Sequence, residues 1–283
     1  MHSIMDDQLP YNSNNKVLDK TTLNGLLSRF GVTVPAKDIK MYQTAMIHKS
    51  YCTRKNENII NGNEKCPKSC IPLQEVSNER LEFLGDSVLN LAVASYLYER
   101  YPTENEGFMT TMRTKLVNGT MLATLASMLN IGEWVILSKQ IDDKGGRKNN
   151  KILEDVLEAF IGAIYLDFDE RKTKTKNLDM FNGLGYQYAK TWIINLIEEN
   201  IDFCQLLHTT NYKDVFFKYY NNNFKCSPNI QDISGSRGKT NECVVCVKDN
   251  TGNIIAVGRG STKKLAESEA SKKALEFYGQ VTL

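Results

Sequence analysis

No stretch of the 283-residue sequence approaches the roughly 18 apolar residues that a membrane-spanning helix needs, so no span is expected. The start, MHSIMDDQLPYNSNN, is polar and acidic and lacks the apolar segment of a signal peptide. An intracellular location is expected, without a choice between cytoplasm and nucleus. Seven cysteines are too few and odd in number for a disulfide framework. The polar segment that holds Cys52, Cys66 and Cys70 contains no histidine, and the spacing gives little support to a zinc site. Cys243 and Cys246 stand three apart on an expected strand and so point to opposite faces, as packed thiols do. His48 has no accompanying serine or cysteine nucleophile pattern and reads as a packed, hydrogen-bonded histidine rather than a general base.

What is present is ordinary globular composition, 41% apolar and 24% charged, with only 6 prolines to interrupt it. Charge is unevenly divided. From residue 211 onward there are 11 Lys and Arg against 7 Asp and Glu, whereas the first 210 residues carry 24 against 26. An acidic body with a basic tail suggests that the tail meets a polyanion while the body holds metal or performs chemistry.

Patterning separates two domains. Residues 1–18 read as a disordered lead-in. Helices are expected near 21–30 and 37–49, then a surface loop over 52–76 rich in Lys, Asn and Pro. A long helix over 77–100 carries Leu81, Leu84, Val88, Leu91 and Tyr98 at helical spacing and ends at Pro102. Further helices are expected at 106–118, 119–130, 150–167 and 185–207, with a charged glycine loop at 142–150. The domain at 19–207 is therefore all-α. After a linker at 208–211, residues 212–283 read as a helix, three strands with a DNTGN hairpin turn, and a closing helix N-capped by Ser261: a small α+β module of order α-β-β-β-α.

The chemistry concentrates in NERLEFLGDSVLN (78–90) and KILEDVLEAFIGAIYLD (151–167). On a helix, Glu82 and Asp86 share a face, and Glu79 lies nearly in register with Asp86. Asp155 and Glu158 form a second pair on an apolar helix. Unpaired carboxylates among core residues are costly. A divalent cation held between the two helices would offset them, and an all-oxygen donor set favours Mg²⁺ or Mn²⁺ over zinc. Solvated acids on a helix face are the alternative, and spacing leaves both readings open.

NERLEFLGDSVLN resembles the signature of the ribonuclease III family. IHKSY (47–51), EGFMTTMRTKLVN (106–118) and EDVLEAFIGAIYLD (154–167) resemble further segments of that family in the same order, over about residues 20–207. The insertion at 52–76 is longer than in compact bacterial members. The resemblance implies a ribonuclease III-like helical bundle with Asp86 and Glu158 catalytic and Glu82, Asp86, Asp155 and Glu158 as metal ligands. It implies a supporting metal role for Glu106, and Mg²⁺ as cofactor with Mn²⁺ able to substitute. It places Glu79 and Phe83 at a homodimer interface, the aromatic plugging a socket on the partner, and gives Gly85 the task of letting backbones approach.

The tail is similar to a double-stranded RNA-binding domain, which reads A-form shape through phosphates and 2′-hydroxyls. Lys263 and Lys264 in the first turn of the last helix suit phosphate contact. The loop after the first strand offers Arg237 and Lys239 in place of the usual Gly-Pro-x-His, and Phe217 and Lys218 replace a Gln or Glu in the first helix. The function implied is Mg²⁺-dependent, homodimeric cleavage of double-stranded RNA, leaving 5′-phosphates and short 3′ overhangs, with no organic cofactor and no membrane partner. A non-catalytic, ribosome-associated RNA-binding scaffold is the alternative; a small-nucleotide phosphohydrolase is disfavoured by the basic tail.

Overall fold

The computed structural model describes residues 10–53, 66–169, 183–208, 212–234 and 242–280. They divide into two units, Met1–Asp202 and Phe203–Leu283.

The first unit contains eight described α-helices: α1 Lys20–Arg29, α2 Ile39–Ala45, α3 Glu79–Arg100, α4 Glu106–Leu116, α5 Gly119–Met128, α6 Lys139–Asp143, α7 Asn150–Asp167 and α8 Gly185–Asn200. Its centre is α7. Nearly every residue from Ile152 to Ile164 is buried, as befits a helix apolar on all sides. Asn149 starts it by accepting hydrogen bonds from the backbone N–H groups of Lys151 and Ile152. Helix α3 packs along one side of α7, and α2, α5 and α8 pack against others. Phe160 of α7 meets Trp192 of α8 with ring centres 5.2 Å apart, and Trp192 meets Phe30 at 5.7 Å. The Trp192 indole N–H donates to the Leu26 carbonyl at 3.0 Å, so this large side chain is both packed and satisfied.

Several expectations shift at element ends. Helix α2 is shorter than 37–49 because the Asp167 carboxylate accepts the backbone N–H groups of Lys37 and Asp38, and Ile47 bridges to Ile136 in parallel. The 185–207 helix is two: Ile201 is extended after α8, and α9, Phe203–His208, follows in the second unit. The expected 142–150 loop starts inside α6, which ends at Asp143, contains a 3₁₀ turn at Gly146–Lys148, and gives way to α7 at Asn150. Leu91 and Tyr98, expected on the core face of α3, are 57% and 71% exposed; the core face is instead Leu81, Gly85, Val88, Leu89, Ala92, Val93, Tyr96 and Leu97.

The lead-in is not disordered from residue 10 onward. Asn12 is fully buried and donates to the Leu137 carbonyl and the Asp142 carboxylate. Arg147 donates to the carbonyls of Gly132 and Val135 and to Asn15, and its Nε lies 2.9 Å from Asp142. Residues 1–9 lie outside the described part, as do 54–65 of the insertion. The base of that insertion is closed: Cys52 bridges to Gln74, and Ile71 and Leu73 pack against Ile47, Tyr51 and Ile136.

In the second unit, α9 and α10 (Tyr212–Phe224) precede an antiparallel sheet of β1 Asn229–Asp232, β2 Cys243–Lys248 and β3 Ile254–Gly260 in the order β1-β2-β3, and α11, Lys263–Phe277, closes it. The DNTGN turn forms between β2 and β3: Asp249 N–H donates to the Asn253 carbonyl, and Gly252 takes φ +91°. Ala266, Ala270 and Ala274 make a small-residue stripe that lets α11 lie close on the sheet. A Cβ at Gly258 would come within 2.2 Å of the Ala266 carbonyl oxygen, so only glycine fits there. The N-cap of α11 is Thr262, not Ser261. The helix begins at Lys263, and the Thr262 hydroxyl accepts from the Leu265 N–H.

Candidate active site

The site is made where α3 crosses α7. A Cβ on Gly85 would fall 1.7 Å from the Glu158 carbonyl oxygen, and one on Gly162 would fall 2.4 Å from that of Leu81. Two glycines thus bring the backbones together, and the side chains beside them converge. Glu82, Asp155 and Glu158 each offer an oxygen, and these all lie within 4.8 Å of one another.

The electrostatics are those of crowded, half-dry acids. Burial, followed by the charges of Asp86 and Glu154, pushes the Glu158 carboxyl up to about 8, against a partial offset from Lys151. Burial and then the Asp155 charge raise Glu82 as well. Lys151 Nζ stands 2.7 Å from Asp155 Oδ1 and 3.5 Å from Glu154, itself raised mainly by Asp155. Lys151 is the cation that meets Asp155 Oδ1, an oxygen otherwise buried without a donor. Three carboxylates whose oxygens lie within 4.8 Å of one another, two of them resisting ionisation, fit a hard divalent cation.

Asp86 and Glu106 stand outside this triad among the described residues. Asp86 is exposed, accepts from Asn90 Nδ2 at 2.8 Å and acts on Glu158 through its charge. Glu106 opens α4, accepts from the Thr110 hydroxyl at 2.8 Å and lines a cleft with Tyr98 and Arg113. Glu79 pairs within the chain with Lys49 at 3.1 Å and accepts from Ser77. Phe83 is 80% exposed. The His48 ring accepts from the Ser50 N–H and caps the 3₁₀ turn Lys49–Tyr51; burial lowers its pKa. Sequence reasoning missed Lys151, although its place three and four residues before Glu154 and Asp155 was a readable signal. It also missed Gly162, which lacks a signal until its partner helix is known.

In the second unit, Lys263 and Lys264 occupy the first turn of α11. Lys213 pairs with Glu267 at 2.7 Å and so ties α10 to α11. Phe217 is half-buried against the core of this unit, and Lys218 is exposed. Arg237 and Lys239 lie outside the described residues.

The first unit is thus a helical bundle whose glycine-paired crossing gathers acids, and the second is a small α-β-β-β-α unit. Family models agree with each half: a Ribonuclease-III-like model matches residues 38–180, and a double-stranded RNA binding motif matches 212–278. The "Probable ribonuclease 3" of Acanthamoeba polyphaga mimivirus is 35% identical over 95% of this chain, which spans about half (47%) of that relative. The "Ribonuclease 3" of Borreliella burgdorferi is 31% identical over 91% of this chain and 93% of its own length. Among solved structures, the nuclease domain of ribonuclease III from Campylobacter jejuni is 31% identical, with a TM-score of 0.48 over 65% of this chain and 99% of that one. The chain belongs to the ribonuclease III family, and its helical unit is a ribonuclease III-type nuclease domain. No helix among the described residues is long and apolar enough to cross a membrane.

Proposed function

We propose that the chain is an endoribonuclease that hydrolyses phosphodiester bonds of double-stranded RNA, working with Mg²⁺, or Mn²⁺ in its place, as a homodimer. The observation that carries this reading is the convergence of Glu82, Asp155 and Glu158 in a chain that also carries a duplex-binding unit. Glu82, Asp155 and Glu158 would hold the cation, with Asp86 completing the set. When bound, such a cation neutralises phosphate charge and lowers the pKa of its water. Burial of Glu158 and the Gly85–Gly162 crossing keep these acids rigid and largely out of bulk water. Lys151 holds Asp155 in place and supplies a fixed positive charge at the edge of the site. Glu106 would support from the start of α4.

Lys263 and Lys264 would contact phosphate at the N-terminus of α11, where backbone N–H groups and the helix dipole favour an anion. One nuclease domain offers one hydrolytic site, and a duplex has two strands to cut. Two copies related by a two-fold axis meet that need and leave 5′-phosphates with short 3′ overhangs. Phe83, bare on α3, and Glu79 beside it would lie at that interface. Intact acids at all four positions speak against a non-catalytic scaffold.

The test is Glu158→Gln and Asp86→Asn in the full chain. Both are expected to bind duplex RNA within a few-fold of the unsubstituted protein and to lose cleavage. Cleavage at the original rate by either variant would show that the site is assigned wrongly.

A further inference from the structure

In the second unit α10 packs against α11, and an ion pair joins them. Lys213, in the first turn of α10, places its Nζ 2.7 Å from Glu267 Oε2 on α11. Glu267 follows Lys263 by four residues and Lys264 by three, so the three side chains share one face of α11. Charge changes sign along that face, from two lysines in the first turn to a carboxylate one turn on. Left bare, the carboxylate would repel the phosphates that the two lysines are proposed to hold. Lys213 covers it from the neighbouring helix.

The pair presents its positive member outward. The Lys213 side chain is 39% exposed and that of Glu267 only 17%, so an arriving polyanion meets the ammonium first. The lysine is also mounted in place. Its Nζ lies 5.8 Å from the centre of the Phe217 ring, and Phe217 packs on the core of the unit. An ammonium has three donors, so Lys213 can keep Glu267 and still donate to a phosphate oxygen. We infer that Lys213 is a third phosphate-binding cation of the face begun by Lys263 and Lys264, and that Glu267 both holds it in position and opposes the phosphate it meets. The inference rests on the duplex-binding reading above and adds a built-in brake to it. Affinity for RNA is held below what the three lysines alone would give.

The test is the affinity of the full chain for an RNA duplex, measured in chelator over a range of salt. Lys213→Gln is expected to bind about tenfold more weakly at low salt and to lower the log–log salt slope by about one, because a contact is lost and a carboxylate is bared. Glu267→Gln is expected to bind about threefold more tightly with the slope kept. A pair that only ties the helices together predicts no gain there, so the sign of this change separates the two roles. In the double variant the loss from Lys213→Gln should shrink, since no bare acid remains. Lys213→Arg, which keeps the charge, should bind within about twofold of the unsubstituted chain and shows that the loss in Lys213→Gln is not one of folding. The inference is overturned if Glu267→Gln binds no more tightly, or if Lys213→Gln keeps the original slope. Unchanged affinity and slope on replacing Lys263 and Lys264 together with Ala would instead remove the reading of this face as the duplex-binding one. Weakening there, with both Lys213→Gln and Glu267→Gln unchanged, would remove this inference alone.

Discussion

Glu158 is 6% exposed and faces Glu82, Asp86 and Glu154, with Lys151 as the opposing cation. Its carboxyl, pushed up to about 8, takes a proton more readily in the folded chain than in the unfolded one. The stability this adds is complete below the ordinary glutamate range and is lost as pH rises through about 8. Metal-free protein should therefore lose on the order of 2 kcal/mol between pH 6 and pH 8.5. Glu158→Gln should flatten that slope, and added Mg²⁺ should reverse the loss, because a cation binds the ionised carboxylate. Thermal melting across this range, in chelator and in Mg²⁺, checks all three. A melting temperature that rises toward pH 8.5 in chelator would contradict the crowding of the site.

At the scale of elements, the α3–α7 crossing decides whether the acids meet. Gly162→Ala places a methyl 2.4 Å from the Leu81 carbonyl oxygen, backbone that has no rotamer to yield. The helices must part, at a cost of about 1–3 kcal/mol or more. Cleavage should fall by more than the stability loss accounts for, because Glu82 moves away from Asp155 and Glu158. Denaturant melts beside cleavage rates on the folded fraction measure the two effects separately.

Much of this was legible in the chain. Acids spaced three and four apart among core residues mark both halves of the triad, and alternation marks β2 and β3. The exposed face of α3 was not legible, because Leu91 and Tyr98 keep helical spacing and only packing shows that their side faces outward. The break at Ile201 follows no proline or glycine. The buried Asn12 and the Arg147 network join positions more than 120 residues apart, which no local pattern reveals. Asp86 and Glu106 carry the right chemistry in the sequence, yet their oxygens stand outside the triad.

For the molecule as a whole, the proposed function assigns cutting to the first unit and duplex binding to the second. Replacing Lys263 and Lys264 together with Ala should weaken duplex binding and lower the salt dependence of the affinity by about one phosphate contact per lysine. Cleavage at saturating RNA should change little, since neither lysine belongs to the nuclease unit. Affinities measured over a range of salt, with rates at saturation, test this division. An unchanged salt slope would place the phosphate contacts elsewhere on the tail. Under the proposed function, the acids gathered by α3 and α7 cut duplex RNA with a divalent cation. Its most direct test is the purified full chain incubated with end-labelled RNA duplex, with Mg²⁺ and with chelator. Cleavage of both strands to 5′-phosphate products is expected in Mg²⁺ alone, and none by Glu158→Gln. Equal cleavage in chelator, or an intact duplex in Mg²⁺, would contradict it.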